Sequence, residues 1–344
     1  MAQLIAIFTR GLVAIGCLIA ARAALAGGGP ENVFLVVNAA SWASQTIANH
    51  YIAGRKIPPD NVCYLDWEGG FESADFPTFR REILLPVLGK IQQRGLESQI
   101  DYVVYSSDFP TAIIPGPDLA GVQLPSQLAP TASLNSATFL WQHVLGKSPE
   151  WVRLGNNHYA RIDLRGALDR PPHGFRSWYG WGPKHELLEA GGERYYLSTV
   201  LAVTSGRGNS VDEALAALDR SAKADGTHPA GTIYYMQNDD VRSKMRDTHF
   251  AAAVAALKKM GVQAVVQQGT VPERRPDVQG LMTGTREIDW RKTRSTIRAG
   301  ALCEHFTSFA GVLSEGASQT PLSEFLRYGA AGATGTVAEP YSIW

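Results

Sequence analysis

The sequence predicts a three-layer αβα protein of the α/β class, with a mostly parallel β-sheet between two layers of helices. Short β-branched runs alternate with helically periodic segments along much of the chain, which is typical of strands joined by helical crossovers. The first run, residues 33–37, is apolar throughout and therefore predicts a strand that is buried on both faces.

The first half of the chain supplies three predicted strands and two predicted helices. The run at 33–37 ends at Asn38, and a helix follows from about Ser44 until Pro58 stops it. Residues 62–65 form the second strand. Apolar residues then recur at near-helical spacing over 79–91, with a kink expected at Pro86, and residues 100–105 form the third strand.

The second half resumes the alternation at residues 195–203. Ser210 and Glu213 form a capping box, in which a hydroxyl and a carboxylate each accept a hydrogen bond from an amide at a helix start. Gly261 fits the end of a helix that begins at about Asp240. The remaining elements are predicted strands at 231–236, 262–266, 296–303 and 333–338, and a helix at 320–329.

Between the halves, residues 109–194 lose periodicity and accumulate Trp, Gly and Pro. We therefore expect a single α/β domain, 27–344, with an irregular insertion at about 109–194 and no internal repeat. Trp178, Tyr179 and Trp181 lie in this insertion. They are interpreted either as a platform for a carbohydrate or peptide, or as a small core of the insertion itself.

Residues 1–26 have the layout of a secretory signal peptide, with Arg10 before the apolar run 11–21 and small residues near its end. We expect Gly27 to begin the mature chain, which would be exported to the periplasm or the extracellular space. The apolar run is shorter than the roughly 20 residues of a membrane span, so no span is expected after cleavage. The chain has 32 basic and 32 acidic residues, which argues against a nucleic-acid partner.

Two cysteines, Cys63 and Cys303, lie in the mature chain, because Cys17 falls in the signal peptide. In an oxidising compartment they either pair as a disulfide or remain as buried free thiols. The sequence leaves both alternatives open.

The candidate catalytic site follows from the predicted strands, because open parallel sheets bind ligands beyond the carboxyl ends of their strands. The densest chemistry there comprises Cys303, His305, Thr307 and Ser308. His305 is the candidate acid or base, and Asp108 at another strand end is its candidate orienting partner. Cys303 is either a nucleophile activated by His305 or a core cysteine.

A metal site is the weaker alternative. Asp239, Asp240 and Glu304 would offer carboxylate oxygens if neighbouring strands brought them together, with His305 or His249 as a further ligand. The phosphate-binding and dinucleotide-binding glycine motifs are missing, so the cofactor remains unassigned.

Three stretches together resemble an uncharacterised family of exported bacterial proteins. They are Val36, Val37 and Asn38 with Ser44, Tyr51 and Arg55; residues 102–110; and residues 305–311 continuing through 324–330 to 335–340. More distantly, the order of elements is similar to gingipain-type, caspase-like cysteine peptidases. That resemblance implies a caspase-like fold with Cys303 as nucleophile. A strand ending in His-Gly is expected before it, whereas this chain has Gln237 and Asn238 there and its His173-Gly174 pair in the insertion.

Two functions remain open. The first is a hydrolase-like enzyme, or an inactive relative, with its site at the strand carboxyl ends. The second is a non-catalytic envelope or extracellular binding protein that takes a small-molecule, peptide or glycan ligand on the aromatic insertion. Contact of His305 with Asp108 or Asp239 favours the first, and a buried His305 with an exposed aromatic face favours the second.

Overall fold

The computed structural model describes residues 28–125, 128–152, 156–159 and 174–339. The predicted signal peptide, Cys17 and His173 lie outside the described residues. None of the helices in the described residues is long and apolar enough to cross a membrane.

Each strand predicted from the sequence has a counterpart in the structure. Six further strands were not predicted, at Ser73–Asp75, Ala112–Ile114, Ala132–Ser133, Gly180–Trp181, Leu187–Leu188 and Val278–Gly284. The strands are β1 (Val33–Asn38), β2 (Val62–Leu65), β3 (Ser73–Asp75), β4 (Tyr102–Tyr105), β5 (Ala112–Ile114), β6 (Ala132–Ser133), β7 (Gly180–Trp181), β8 (Leu187–Leu188), β9 (Leu197–Val200), β10 (Thr232–Gln237), β11 (Ala264–Gln268), β12 (Val278–Gly284), β13 (Ile297–Phe306) and β14 (Gly332–Thr334). The helices are α1 (Trp42–Arg55), α2 (Phe76–Phe79), α3 (Leu85–Gln93), α4 (Leu134–Phe139), α5 (Trp141–Leu145), α6 (Val211–Ala224), α7 (Val241–Lys244), α8 (Phe250–Lys259), α9 (Trp290–Thr293) and α10 (Ser323–Arg327). A π-helical segment, Arg80–Leu84, joins α2 to α3, and short 3₁₀ segments occur at Pro30–Asn32, Pro59–Asn61, Gly116–Leu119, Pro149–Val152 and Asp247–His249.

A small three-stranded sheet, β3-β5-β6, has one parallel and one antiparallel pairing, and the other parallel strands form two larger sheets. One has the order β2-β1-β4-β9 and the other β11-β10-β12-β13-β14, and all neighbours within each are parallel. The predicted α/β class with mostly parallel pairing is confirmed. We call the two sheets with their packed elements the first lobe and the second lobe. In each sheet the strand that comes first in the chain, β1 or β10, lies between the two strands that follow it in that sheet. The lobes therefore share this part of their topology, although the sequence shows no repeat.

The core of the first lobe lies on both faces of its sheet. Phe34 and Val36 pack on one side of β1, and Leu35 and Val37 pack on the other. All four side chains are fully buried, which explains why the apolar run is continuous. The helix after β1 begins at Trp42, and the Ser41 hydroxyl caps it by accepting a hydrogen bond from the Ser44 amide at 3.1 Å.

The second lobe buries mainly one face of its sheet, around Tyr234, Met236 and Cys303. On the opposite face Leu302 remains 67% exposed. The predicted long helix at 240–260 is divided into α7 and α8 by the 3₁₀ segment Asp247–His249.

The lobes meet along α6, which contacts both α1 and β13. The loop after β9 also touches the loop after β13, because the Arg207 amide donates to the Leu313 carbonyl at 2.7 Å. The guanidinium of Arg207 donates to the carbonyls of Ala317 and Gln319. The carboxyl ends of β9 and β13 therefore lie next to each other.

Candidate functional site

Asp108 is the centre of a polar network at the carboxyl ends of the strands in the first lobe. It follows β4 in the left-handed conformation, with φ of 59°. Its carboxylate accepts hydrogen bonds from the Ser41 hydroxyl and, at 2.8 Å, from the Thr204 hydroxyl. Both carboxylate oxygens of Asp108 are thus engaged by hydroxyls from the loops that follow β1 and β9.

Asn38 closes the crevice between β1 and β4, from which the crossovers of this sheet lead in opposite directions. In open parallel sheets, ligands generally bind at such a crevice. The Asn38 side-chain amide donates to the Asp108 carbonyl at 2.9 Å, and its side-chain oxygen accepts from the Ala40 amide at 3.0 Å. Its main-chain amide donates to the Ser44 hydroxyl at 2.9 Å. The protein's own side chain therefore bridges this crevice.

The second lobe repeats this arrangement with Asn238. The Asn238 main-chain amide donates to the Ser243 hydroxyl at 3.0 Å, and its side-chain oxygen accepts from the Asp240 amide at 2.9 Å. Its side-chain amide donates to the Gly284 carbonyl at 3.2 Å, across the crevice between β10 and β12. An Asn at the end of a predicted strand, followed five or six residues later by a Ser, is the sequence pattern that the two lobes share.

His305 lies in the second lobe on β13 and is 1% exposed. Its Nδ1 is 3.1 Å from the Thr320 carbonyl and its Nε2 is 2.8 Å from the Thr285 carbonyl. Burial lowers the pKa of His305, although the two carbonyls favour the protonated ring. No hydrogen bond joins His305 to Asp108 among the described residues, since His305 contacts Thr285 and Thr320 whereas Asp108 contacts Ser41 and Thr204.

Cys303 is buried in the core of the second lobe. Burial raises the pKa of its thiol to about 12, so the thiolate required of a nucleophile is strongly disfavoured. Cys63 is buried in the first lobe, and both cysteines are free thiols. The disulfide alternative is therefore not realised in this structure.

Thr307 and Ser308 hold the loop that follows β13. The Thr307 hydroxyl donates to the Gln319 side chain at 2.8 Å and accepts from Arg242 Nε at 3.0 Å. The main-chain carbonyls of both residues accept a hydrogen bond from the Thr336 hydroxyl. These contacts give Thr307 and Ser308 a role in fixing the loop.

The carboxylates of the predicted metal site point to separate cationic partners. Asp239, Asp240 and Glu304 are paired respectively with Lys244, Arg242 and Arg246. Asp240 also caps α7 by accepting a hydrogen bond from the Arg242 amide at 2.9 Å. Within the described part of the chain, no group of three or more His, Cys, Asp or Glu residues is placed to hold a metal ion.

A cavity of about 550 Å³ lies in the insertion, against the β7–β8 hairpin. We call it the hairpin pocket. Its lining includes Gln142, Trp178, Tyr179, Leu188, Glu189 and Arg194. Trp178 is 50% exposed and packs edge to face on Tyr179, with ring centroids 4.6 Å apart. Trp178 and Tyr179, two of the three aromatic residues interpreted as a platform or a small core, thus line a concave surface on which the indole of Trp178 is accessible.

The pocket keeps its shape because main chain packs closely on main chain. A Cβ on Gly180 would lie 1.8 Å from the Gly191 carbonyl oxygen, so only glycine fits there. Trp181 and Glu193 exchange two main-chain hydrogen bonds of 2.9 Å, which hold the returning chain against β7. Trp181 is 2% exposed and anchors the hairpin, whereas Trp178 faces the cavity.

Comparison with protein-family models, curated proteins and solved structures finds no match for this chain.

Proposed function

We propose that the chain is an exported binding protein that holds a carbohydrate in the hairpin pocket. The observation that carries the proposal is the half-exposed indole of Trp178 in a cavity that also has polar lining. A sugar ring has an apolar C–H face that stacks on an aromatic ring and a rim of hydroxyls that form hydrogen bonds. The cavity volume is in the range of roughly 300–1,000 Å³ that small-molecule sites occupy.

The state of the candidate catalytic groups favours binding over hydrolysis. His305 is enclosed by two carbonyls, and Cys303 is a core thiol with a strongly raised pKa. Asp108 is bonded to Ser41 and Thr204 and not to His305, so the acid–base pair predicted from the sequence is not formed among the described residues. Export is proposed from the signal-peptide pattern of residues 1–26, and it would place the pocket where envelope or extracellular glycans occur.

The test is calorimetric titration of the mature protein with neutral and charged hexasaccharides, comparing Trp178→Ala with Trp42→Ala. Trp42 is a matched control, because it is 72% exposed and lies on α1, outside the pocket. We expect wild type and Trp42→Ala to bind at least one glycan equally. Trp178→Ala should bind it about tenfold more weakly or worse, which corresponds to about 1.4 kcal/mol or more. Absence of glycan binding, or equal binding by both variants, would refute the proposal.

A hydrolase-like activity is the second candidate, and the contact between Ser41 and Asp108 favours it. In that candidate the Ser41 hydroxyl would act as the nucleophile, and the Asp108 carboxylate, which accepts its hydrogen bond, would act as the base. A fluorophosphonate probe should then label wild type and leave Ser41→Ala unlabelled. Ser210→Ala is the control, because the Ser210 hydroxyl also caps a helix, α6, but donates to no carboxylate among the described residues. Labelling that is absent in wild type, or persists in Ser41→Ala, excludes Ser41 as the nucleophile.

A further inference from the structure

Arg194 is held rigidly at the hairpin pocket. Its main-chain amide donates to the Gln142 side-chain oxygen at 2.6 Å, and its Nε donates to the Ser177 carbonyl at 3.2 Å. Ser177 is itself fixed, because its amide donates to a carboxylate oxygen of the buried Asp101 at 2.8 Å. Within the described residues the terminal guanidinium nitrogens of Arg194 have no hydrogen-bond or ion-pair partner. They are oriented donors that a ligand can use without a rearrangement of the protein.

The same cavity offers complementary groups. Glu189 is exposed after β8, and its carboxylate has no partner among the described residues. The side-chain NH₂ of Gln142 donates to none of the described groups, since only its oxygen is used. The pocket therefore combines donors from Arg194 and Gln142, an acceptor from Glu189 and the ring of Trp178.

The charges in the pocket select among glycan classes. Arg194 and Glu189 are oppositely charged and cancel. An anionic ligand would be repelled by Glu189. A cationic ligand, although attracted to aromatic faces, would be repelled by Arg194. A hydroxyl both donates and accepts, so adjacent hydroxyls can satisfy both residues at once.

Resting on the proposed function, we infer that the ligand is a neutral pyranoside. One ring face stacks on Trp178, and neighbouring hydroxyls are held by Arg194 and Glu189. The inferred site binds its glycan without cleaving it. Glycosidases ordinarily use two carboxylates, and Glu189 is the one acidic residue among the described residues that line this pocket.

The experiment uses the mature protein and hexasaccharides that differ mainly in charge. Cellohexaose is neutral, the β-1,4-glucosamine hexamer is cationic and the β-1,4-glucuronate hexamer is anionic. Malto-, manno- and xylohexaose extend the neutral set. We expect a neutral hexasaccharide to bind at least tenfold more tightly than either charged hexamer.

The variants test which residues set this preference. Glu189→Gln should weaken binding of the neutral glycan about tenfold. It should also raise the affinity for the glucuronate hexamer relative to that for the neutral glycan, because the pocket then carries a net positive charge. Arg194→Gln should shift the ratio toward the glucosamine hexamer. Glu315→Gln is the control, since Glu315 is an exposed acid on a second-lobe loop, and it should change neither ratio.

The outcomes distinguish failure of the inference alone from failure of the proposed function. Tighter binding of a charged hexamer than of every neutral one overturns the neutral class and leaves glycan binding standing. Binding of a neutral glycan that both pocket variants leave unchanged overturns the roles of Arg194 and Glu189. Absence of binding by every hexasaccharide refutes the inference and the proposed function together.

Discussion

Asn38 and Asn238, which bridge strand ends in the two lobes, provide a matched test of how burial changes the contribution of one motif to the free energy of unfolding. Asn38→Ala and Asn238→Ala each remove a side-chain amide that joins two strand-end loops. The bonding pattern is shared, but Asn38 is 3% exposed whereas Asn238 is partly exposed. We predict that the substitution costs more stability in the first lobe.

The magnitude follows from the hydrogen bonds that are lost. Asn38→Ala removes bonds of 2.9 and 3.0 Å and leaves the Asp108 carbonyl and the Ala40 amide without those partners. At about 1 kcal/mol per bond, with a further cost for buried groups left unpaired, the loss is about 2–4 kcal/mol. Asn238→Ala removes bonds of 2.9, 3.2 and 3.4 Å, but water can replace them at this partly exposed position, so a loss of about 1 kcal/mol is expected.

The assay is urea unfolding of each variant of the mature protein, with the free energy compared only where the denaturant slope is unchanged. Asn49→Ala is the control, because Asn49 is exposed on α1, and it should stay within about 0.5 kcal/mol of wild type. Equal losses for the two asparagines, or a loss below about 1 kcal/mol for Asn38→Ala, would refute the argument from burial.

Three further predictions use the core and the pocket. Cys63 and Cys303 should resist a thiol reagent in the native protein and react in urea, because burial raises the pKa of both thiols; rapid native labelling would contradict this. Burial lowers the pKa of His305 below its usual 6.5, so the unfolded chain takes up the proton first and stability is lost as pH falls through and below about 6.5. In urea unfolding between about pH 7.5 and 5, His305→Gln should show a smaller loss than wild type, and an equal loss would contradict the assignment. Gly180→Ala should abolish glycan binding with the circular dichroism spectrum retained, because its Cβ would lie 1.8 Å from a main-chain oxygen. Gly89→Ala, where a Cβ meets nothing within 4 Å, should leave binding unchanged, and binding retained by Gly180→Ala would show that the close approach is not needed.

Elements fixed by local chemistry could be predicted from the sequence. The capping box at Ser210 and Glu213 starts α6 as expected, because both partners lie within one helical turn. The apolar run that begins at Val33 predicts a strand buried on both faces, and the following residues of β1 are buried on both.

Which strand ends meet could not be predicted. Asp108 and His305 both lie near strand carboxyl ends, but periodicity does not show to which sheet a strand belongs. The two residues consequently lie in different lobes. In the insertion, composition identifies Trp178 and Trp181 as a cluster. Their contrasting exposure depends on the chain returning past β7, which the local sequence does not reveal.

The division into two lobes also sets an order of assembly. The strands of each sheet come from one half of the chain and do not alternate with those of the other sheet. In the first sheet, however, β4 can pair with β9 only after the whole insertion between them has been synthesised. The strands of the second lobe pair across shorter crossovers, and contacts between nearby segments form faster than contacts that close long loops. The lobe synthesised last is therefore expected to complete its sheet first. Helix α6, which touches both lobes, then couples the slow closure of the first lobe to the finished second lobe.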